Sequence, residues 1–193
     1  MSRIGVLGGT FDPLHVGHLA AASQVHHALG LDIILLVPAN AQPLKPAPVA
    51  SGNDRLAMCK AAAAADPRFD VSDVDIVRGG ATYTVDTLAD LRKKDPGAEF
   101  FFIVGADSLE TLPRWKDYET LITLASFVGV SRPGHALKQS DAPHLVVDIP
   151  ALAVSSTEIR DRAQSGVPIR YLVPDAVALY VEEHGIYPGG THE

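Results

Sequence analysis

Short apolar runs alternate along this chain with segments of helical periodicity, and this alternation constrains the fold more than any other feature. The continuous β-branched and leucine run at 33–37 is typical of a buried strand. Strands that alternate with helices form a parallel sheet covered by helices on both faces. The sequence therefore predicts a single α/β domain, a doubly wound Rossmann-like parallel sheet, whose ligands bind at the carboxyl ends of the strands.

The same pattern predicts where the elements lie. Strands are expected at 4–7, 33–37, 71–77, 100–104, 127–130 and 145–149. Helices are expected at 16–29, 51–65, 82–94, 108–112, 117–124, 155–164 and 174–184. Prolines exclude a helix or a central strand from the loop at 38–50. We expect the domain to span 1–187 and residues 188–193 to form a flexible tail.

Composition excludes several classes of protein. Lysine and arginine number 16 against 23 aspartates and glutamates, and the formal net charge is −7. A chain of this charge lacks the basic face of a nucleic-acid or membrane-surface binder, so neither partner is expected. Cys59 is the single cysteine, which excludes a disulfide framework. The run at 4–7 is too short for a signal peptide, and no stretch approaches the roughly 20 apolar residues of a membrane span, so we expect a cytoplasmic protein.

The first candidate site is the segment GGTFDPLHVGH at 8–18, which joins the first strand to the first helix. Its glycines let a ligand approach the backbone, and the following helix offers free N–H groups to an anion. His15 and His18 fall on one face of the first helical turn, where imidazoles can donate to phosphate oxygens. Two other interpretations stay open for the pair: capping or packing residues, and a weak metal site.

The second candidate site is the segment SSTEIR at 155–160, which opens a helix. The hydroxyls of Ser155, Ser156 and Thr157 can cap the free N–H groups of that helix or bind phosphate beside them. Arg160 lies one turn further, and its guanidinium suits phosphate geometry. Taken alone, the segment also fits an ordinary N-cap followed by a surface arginine. Together with the first segment it predicts two phosphate clamps, and hence a triphosphate.

These two segments together resemble the nucleotidyltransferase superfamily of α/β phosphodiesterase type, whose signature is H-x-G-H. Its enzymes transfer a nucleoside monophosphate from a triphosphate to an acceptor phosphate by in-line displacement and release pyrophosphate. The resemblance implies that His15, His18 and Arg160 are catalytic, and that Ser155, Ser156, Thr157 and Arg160 hold the β- and γ-phosphates. It also implies Mg²⁺ bound through the triphosphate of ATP, with no dedicated protein cage visible. The residues implied to line the nucleotide are Gly8, Gly9, Thr10 and Phe11.

The middle of the chain resembles the bacterial nicotinate-mononucleotide adenylyltransferases, through GGATYTVDTL at 79–88 and GADSL with LPRW at 105–115. This likeness implies ATP and nicotinate mononucleotide as substrates, and nicotinate adenine dinucleotide and pyrophosphate as products, in NAD biosynthesis. It implies that Trp115 stacks on the pyridine ring and that backbone N–H groups near Thr84 and Lys116 receive the nicotinate carboxylate. Gly105 and Asp107 would face the nucleotide. Packing between helices is the alternative for Trp115.

One segment departs from the family pattern. Where the family often has P-P-H-K, this chain has Gln42-Pro43-Leu44-Lys45, so Lys45 stays a candidate phosphate contact and the histidine is missing. Asn40 and Arg132 are candidate contacts to the acceptor, and both also fit plain loop residues. An ordinary helix-start role fits the acidic residue Asp86.

Other functions remain as alternatives. Phosphopantetheine adenylyltransferase shares both end motifs, although the segments at 79–88 and 105–115 disfavour it. A catalytically silent nucleotide-binding module is the alternative from another class. A nicotinamide-dependent dehydrogenase is excluded, because Thr10 stands at the second glycine of G-x-G-x-x-G. Homo-oligomerisation and the preference for nicotinate over nicotinamide mononucleotide stay open.

Overall fold

A computed structural model describes residues 1–43, 46–131, 144–150 and 152–188. Its centre is a six-stranded sheet in which each neighbouring pair of strands is parallel, in the order β3-β2-β1-β4-β5-β6. The strands are β1 (Arg3–Gly9), β2 (Ile33–Pro38), β3 (Phe69–Val71), β4 (Glu99–Gly105), β5 (Ser126–Ser131) and β6 (His144–Asp148). The predicted doubly wound parallel sheet is confirmed.

Strand order places the ligand crevice between β1 and β4. The chain moves outward from β1 through β2 to β3, and then returns to place β4 on the other side of β1. The register aligns Ile4 of β1 with Ile33 of β2 and with Phe100 of β4. Ligands of doubly wound sheets bind outside the carboxyl ends of the strands where the order reverses. Here those ends are Gly9, which lies in the segment at 8–18, and Gly105, which begins the segment at 105–115.

Helices cover both faces of the sheet. They are α1 (Val16–Leu29), α2 (Gly52–Ala63), α3 (Val74–Arg78), α4 (Thr84–Lys94), α5 (Ala106–Thr111), α6 (Tyr118–Leu124), α7 (Ser156–Gln164) and α8 (Asp175–Glu183), with a 3-10 turn at Leu112–Arg114. One core, which includes Ile34 and Leu36, packs against α1, α2, α7 and α8. The opposite core, which includes Val37 and Phe102, packs against α3 to α6. No helix of the described ranges is long and apolar enough to cross a bilayer.

The strand predicted at 71–77 is wrong. The strand β3 is only Phe69–Val71, and Val74–Arg78 form the short helix α3. The buried carboxylate of Asp75 requires a partner, and Arg78 supplies one. Residues three apart meet on one side of a helical turn but not along a strand, so this ion pair favours the helix. Elsewhere the predicted elements occur, with bounds shifted by one or two residues at most ends.

Candidate active site

The turn after β1 is closed by the ring of Phe11. Phe11 is buried and has a left-handed backbone with φ of 51°. A Cβ placed on Gly9 would lie 2.7 Å from Cε1 of this ring, so the ring occupies the space that only a glycine leaves. Gly9 is therefore needed for the packing of this turn, which connects β1 to α1.

His15 and His18 lie face to face at the start of α1. The two ring centroids are 3.6 Å apart with an interplanar angle of 23°, and the ring of Phe11 meets His18 edge-on at 5.1 Å. The backbone N–H of His15 donates to Nδ1 of His18 over 3.3 Å. Because Nδ1 accepts this bond, the neutral His18 ring carries its proton on Nε2, which becomes its hydrogen-bond donor.

The glycine between the two histidines, Gly17, leaves space for the ring of His15. A Cβ at this position would lie 3.1 Å from both Cε1 and Nδ1 of His15, closer than an ordinary van der Waals contact. A side chain here would force the His15 ring to shift by a few tenths of an ångström. The spacing H-x-G-H therefore has a steric reason, which is independent of any conformational freedom of the glycine.

The structure brings the second motif against the first. The hydroxyl of Ser156 donates to the carbonyl oxygen of Pro13 over 2.9 Å, across 143 residues of sequence. Arg160 donates through Nη1 to the carbonyl oxygen of Asp12 over 2.8 Å and through Nη2 to Oγ1 of Thr157 over 3.3 Å. Ser155 is the N-cap of α7, where its hydroxyl accepts the backbone N–H of Glu158. Both predicted phosphate clamps thus meet beside the end of β1.

Asp12 is a buried carboxylate to which the sequence analysis gave no role. It accepts the backbone N–H groups of Val49 and Ala50 over 2.8 and 3.0 Å, and the hydroxyl of Tyr187 over 2.7 Å. Burial and the bond to Asp12 raise the pKa of the Tyr187 hydroxyl far above its ordinary value. Asp12 lies inside the first motif, so its position was a signal, whereas nothing near Tyr187 in the sequence indicated this contact.

Arg55 is a second buried ionic group that the sequence analysis missed. Its side chain is 1% exposed and donates to the carbonyl oxygens of Thr10, Ala39, Asn40 and Ala50. Burial lowers its pKa, and the negative charge of Asp12 opposes that shift. The guanidinium therefore ties the ends of β1 and β2 to the end of the proline-rich loop. A signal existed, because this arginine falls in line with the buried residues of α2, which include Met58, Cys59 and Ala62.

Asn40 links the end of β2 to the loop before α4. Its side-chain amide donates to the carbonyl oxygen of Gly80 over 2.8 Å, and its backbone N–H donates to Oγ1 of Thr82 over 2.9 Å. Thr84 is the first residue of α4, and N–H groups of a first helical turn have no partner within the helix. Asn40 and Thr84, which are predicted to contact the nicotinate mononucleotide, therefore lie on the same side of the crevice.

Lys116 connects the start of α4 to the segment that carries Trp115. Its ammonium lies 3.0 Å from Oδ2 of Asp86 and 4.6 Å from the centroid of the Tyr83 ring. The hydrogen bond that Lys116 donates to Asp86 raises the pKa of the Lys116 ammonium. The ion pair offsets the negative charge of Asp86 at the helix start where a carboxylate ligand is expected. Asp86 therefore pairs with Lys116 and also lies in the first turn of α4.

Trp115 is half-buried against the sheet. Its ring meets Phe102 and Phe127 edge-on, with centroids 6.5 and 6.4 Å apart, and its Nε1 lies 3.3 Å from Oγ1 of Thr111. The packing interpretation therefore accounts for part of this residue. These near-perpendicular ring contacts also hold the indole in one orientation, which is what a stacking surface needs.

Of the remaining predicted residues, some have described surroundings and others lie outside what the structure describes. Gly105 ends β4, and no described atom lies within 4 Å of where its Cβ would be, which leaves room for a ligand. Gly8 lies next to Phe102, from which its Cβ would be 3.1 Å away. The hydroxyl of Thr10 donates a hydrogen bond to Oε1 of Gln42. The backbone of Asp107 lies in α5, but its side chain is outside what the structure describes, as are Lys45 and Arg132 altogether.

Comparisons with known proteins show the family of this chain. Residues 6–162 match the Cytidylyltransferase-like family. A protein of Clavibacter michiganensis subsp. michiganensis named "Probable nicotinate-nucleotide adenylyltransferase" is 51% identical over 188 residues, which cover 96% of this chain and 94% of that protein. A protein of the same name from Corynebacterium jeikeium is 50% identical, with 94% of this chain and 98% of that protein covered.

Solved structures share the fold. The structure titled Plasmodium falciparum nicotinic acid mononucleotide adenylyltransferase complexed with NaAD superposes with a TM-score of 0.77. The superposition covers 97% of this chain and 98% of that one at 18% sequence identity, so this likeness supports the fold. The curated relatives and the matched family support the closer relationship. This chain therefore belongs to the cytidylyltransferase-like family and, within it, to the nicotinate-nucleotide adenylyltransferases.

Proposed function

We propose that this chain transfers AMP from ATP to nicotinate mononucleotide, giving nicotinate adenine dinucleotide and pyrophosphate in NAD biosynthesis. The observation that carries the proposal is the meeting of the two phosphate motifs beside the end of β1. Ser156 and Arg160 donate hydrogen bonds to the backbone carbonyls of Pro13 and Asp12, which lie two and three residues before His15. This contact brings the start of α7 beside the segment that leads to the two histidines, which supports a single triphosphate site built from both motifs.

The ATP side of the reaction needs donors rather than a protein nucleophile. A 5′-phosphate oxygen of the mononucleotide attacks the α-phosphorus in line, and pyrophosphate leaves with the electrons of the broken P–O bond. We assign His15 and His18 to the charge that develops at the α-phosphate, and Arg160 to the departing phosphates. The other proposed ATP contacts are Gly8, Gly9, Thr10, Phe11, Lys45, Gly105, Asp107, Ser155, Ser156 and Thr157.

The acceptor side lies around the start of α4. We propose that the indole of Trp115 stacks on the pyridine ring and that backbone N–H groups near Thr84 and Lys116 receive the nicotinate carboxylate. The ion pair between Lys116 and Asp86 supports this assignment, because an uncompensated carboxylate at the helix start would repel the ligand. Asn40 and Arg132 complete the proposed acceptor contacts.

Mg²⁺ is proposed to enter with ATP. Within the described ranges, no three His, Cys, Asp or Glu side chains lie close enough together to hold a metal ion. The carboxylate of Asp12 already accepts bonds from Val49, Ala50 and Tyr187. The donor set therefore fits a cation held by triphosphate oxygens and water, where it would supply charge neutralisation. The cytoplasmic location and the lack of a nucleic-acid partner stay predictions.

Pyrophosphate release with one acceptor at a time tests the proposed function. Purified protein, ATP and Mg²⁺ are combined with nicotinate mononucleotide, nicotinamide mononucleotide, phosphopantetheine or no acceptor. We expect fast release with nicotinate mononucleotide, together with a dinucleotide product that contains adenine. Release with phosphopantetheine alone would contradict the acceptor site and keep the phosphate clamps. No release with any acceptor would favour a nucleotide-binding module.

Replacing Trp115 with alanine is expected to weaken mononucleotide binding. The loss should be about 1–3 kcal/mol, the range seen for stacking between bases and aromatic side chains. Initial rates at varied concentrations of each substrate should show a higher KM for the mononucleotide and an unchanged KM for ATP. Trp115→Phe keeps a flat ring and should retain part of the affinity. An unchanged mononucleotide KM in Trp115→Ala would make Trp115 a packing residue only.

A further inference from the structure

The carboxylate of Asp12 accepts hydrogen bonds from two segments that are distant in sequence. Oδ1 accepts from the N–H of Ala50 and from the hydroxyl of Tyr187, and Oδ2 accepts from the N–H of Val49. The side chain of Arg55 also acts on it electrostatically. Asp12 is 4% exposed and Tyr187 is 2% exposed, so water does not compete for these positions. The negative charge of Asp12 is therefore satisfied mainly by groups other than Arg160.

Arg160 is held near this carboxylate without a close ion pair to it. Its Nη1 donates to the backbone carbonyl of Asp12 over 2.8 Å, while Oδ2 of the same residue is 3.8 Å away. A guanidinium and a carboxylate that face each other freely form two parallel bonds below 3 Å. Here the carboxylate is turned towards its other donors. The other terminal nitrogen of Arg160, Nη2, donates to Oγ1 of Thr157 and not to this carboxylate.

We infer that Tyr187 is a positioning residue for Arg160. By occupying Oδ1 of Asp12, the Tyr187 hydroxyl keeps the carboxylate from turning onto the guanidinium and preserves the charge of Arg160 for the phosphates of ATP. Without the hydroxyl, the buried carboxylate loses one of its donors, and the Arg160 guanidinium, 3.8 Å from Oδ2, is a cation that can replace it. The inference rests on the proposed role of Arg160 as a triphosphate ligand.

Tyr180 offers a matched control for the test. Its hydroxyl also donates to an aspartate, Asp54, over 3.0 Å, and it also lies in the C-terminal part of the chain. Asp54 is at the start of α2 and contacts Ser51 rather than the phosphate clamps. Tyr187→Phe and Tyr180→Phe therefore remove the same kind of bond, one that touches the Asp12 site and one that does not.

The test measures binding of ATP in which methylene replaces the oxygen between the α- and β-phosphorus, with Mg²⁺, by titration calorimetry. We expect Tyr187→Phe to weaken binding roughly fivefold or more, and Tyr180→Phe by less than about twofold. Arg160→Gln should weaken binding by itself, and adding Tyr187→Phe to it should cause no further loss. The rise in the thermal unfolding midpoint on adding the analogue is a second measure of binding. It compares each variant with and without the analogue, so it stays valid for a variant whose fold is less stable.

Several results would overturn the inference while leaving the proposed function in place. They are wild-type binding by Tyr187→Phe, equal losses in the two tyrosine variants, and a full Tyr187→Phe effect in the Arg160→Gln background. Unchanged binding by Arg160→Gln is a different failure, because it removes the proposed role of Arg160 and the inference together. In either case, turnover of nicotinate mononucleotide by the unmutated protein shows whether the proposed function itself stands.

Discussion

Replacing His18 with alanine is expected to lower kcat by about 10²- to 10³-fold, the loss typical when one donor to transition-state charge is removed. Its Nδ1 is anchored by the backbone N–H of His15, which leaves Nε2 as the proton-bearing nitrogen. The rings of His15 and Phe11 fix the plane of the imidazole. A donor held in this way interacts most strongly when charge builds on the α-phosphate, so KM for both substrates should change much less than kcat.

Steady-state rates of pyrophosphate release at saturating substrates check this prediction. His27→Ala is the control, because His27 lies on the same helix at its exposed C-terminal end. That variant should keep the wild-type kcat. A His18→Ala enzyme whose kcat stays within about threefold of wild type would refute the assignment of His18 to the transition state.

Replacing Arg55 with methionine is expected to destabilise the fold by about 3–5 kcal/mol, as when one partner of a buried ionic group is removed. Methionine fills similar space but leaves the carbonyl oxygens of Thr10, Ala39, Asn40 and Ala50 without this donor. It also removes the positive charge that faces the buried Asp12. Buried acceptors without donors cost their full desolvation, so the loss exceeds that of the bonds alone.

Urea unfolding followed by circular dichroism measures the effect. Arg68→Met is the control, because Arg68 pairs with Asp66 at the surface and should leave the midpoint nearly unchanged. Arg55→Lys should lie between wild type and Arg55→Met, since it keeps the charge but reaches fewer carbonyl groups. An Arg55→Met protein within about 1 kcal/mol of wild type would show that the guanidinium contributes little to holding these strand ends.

The sequence predicted what depends on local patterns. The helix expected at 16–29 is Val16–Leu29, because apolar spacing and the left-handed Gly30 that follows define it locally. The contact between the segments at 8–18 and 155–160 agrees with the expectation that both lie at the carboxyl end of the sheet. The strand expected at 71–77 failed because its alternation was read without the ion pair of Asp75 and Arg78.

The buried ionic network could not be predicted in the same way. Arg55 donates mostly to backbone carbonyls, and any residue type supplies a carbonyl. The partner of Tyr187 lies 175 residues away in sequence, so no local window contains both ends of the bond. A charged residue in line with the buried side of a helix is the one signal of this kind that a sequence does carry, and Arg55 shows it.

The bond between Tyr187 and Asp12 has a consequence for how the protein comes into being. Synthesis makes residue 12 early and residue 187 much later, and Ser156, which anchors Pro13, also follows 143 residues after its partner. Contacts between such distant segments form late, since the chain entropy between them must be lost first. A ribosome-bound chain that stops short of residue 187 already contains both histidines. The segment at 8–18 then still lacks the hydrogen bond from Tyr187 to Asp12. Nucleotide binding should therefore mature only after the C-terminal segment has docked.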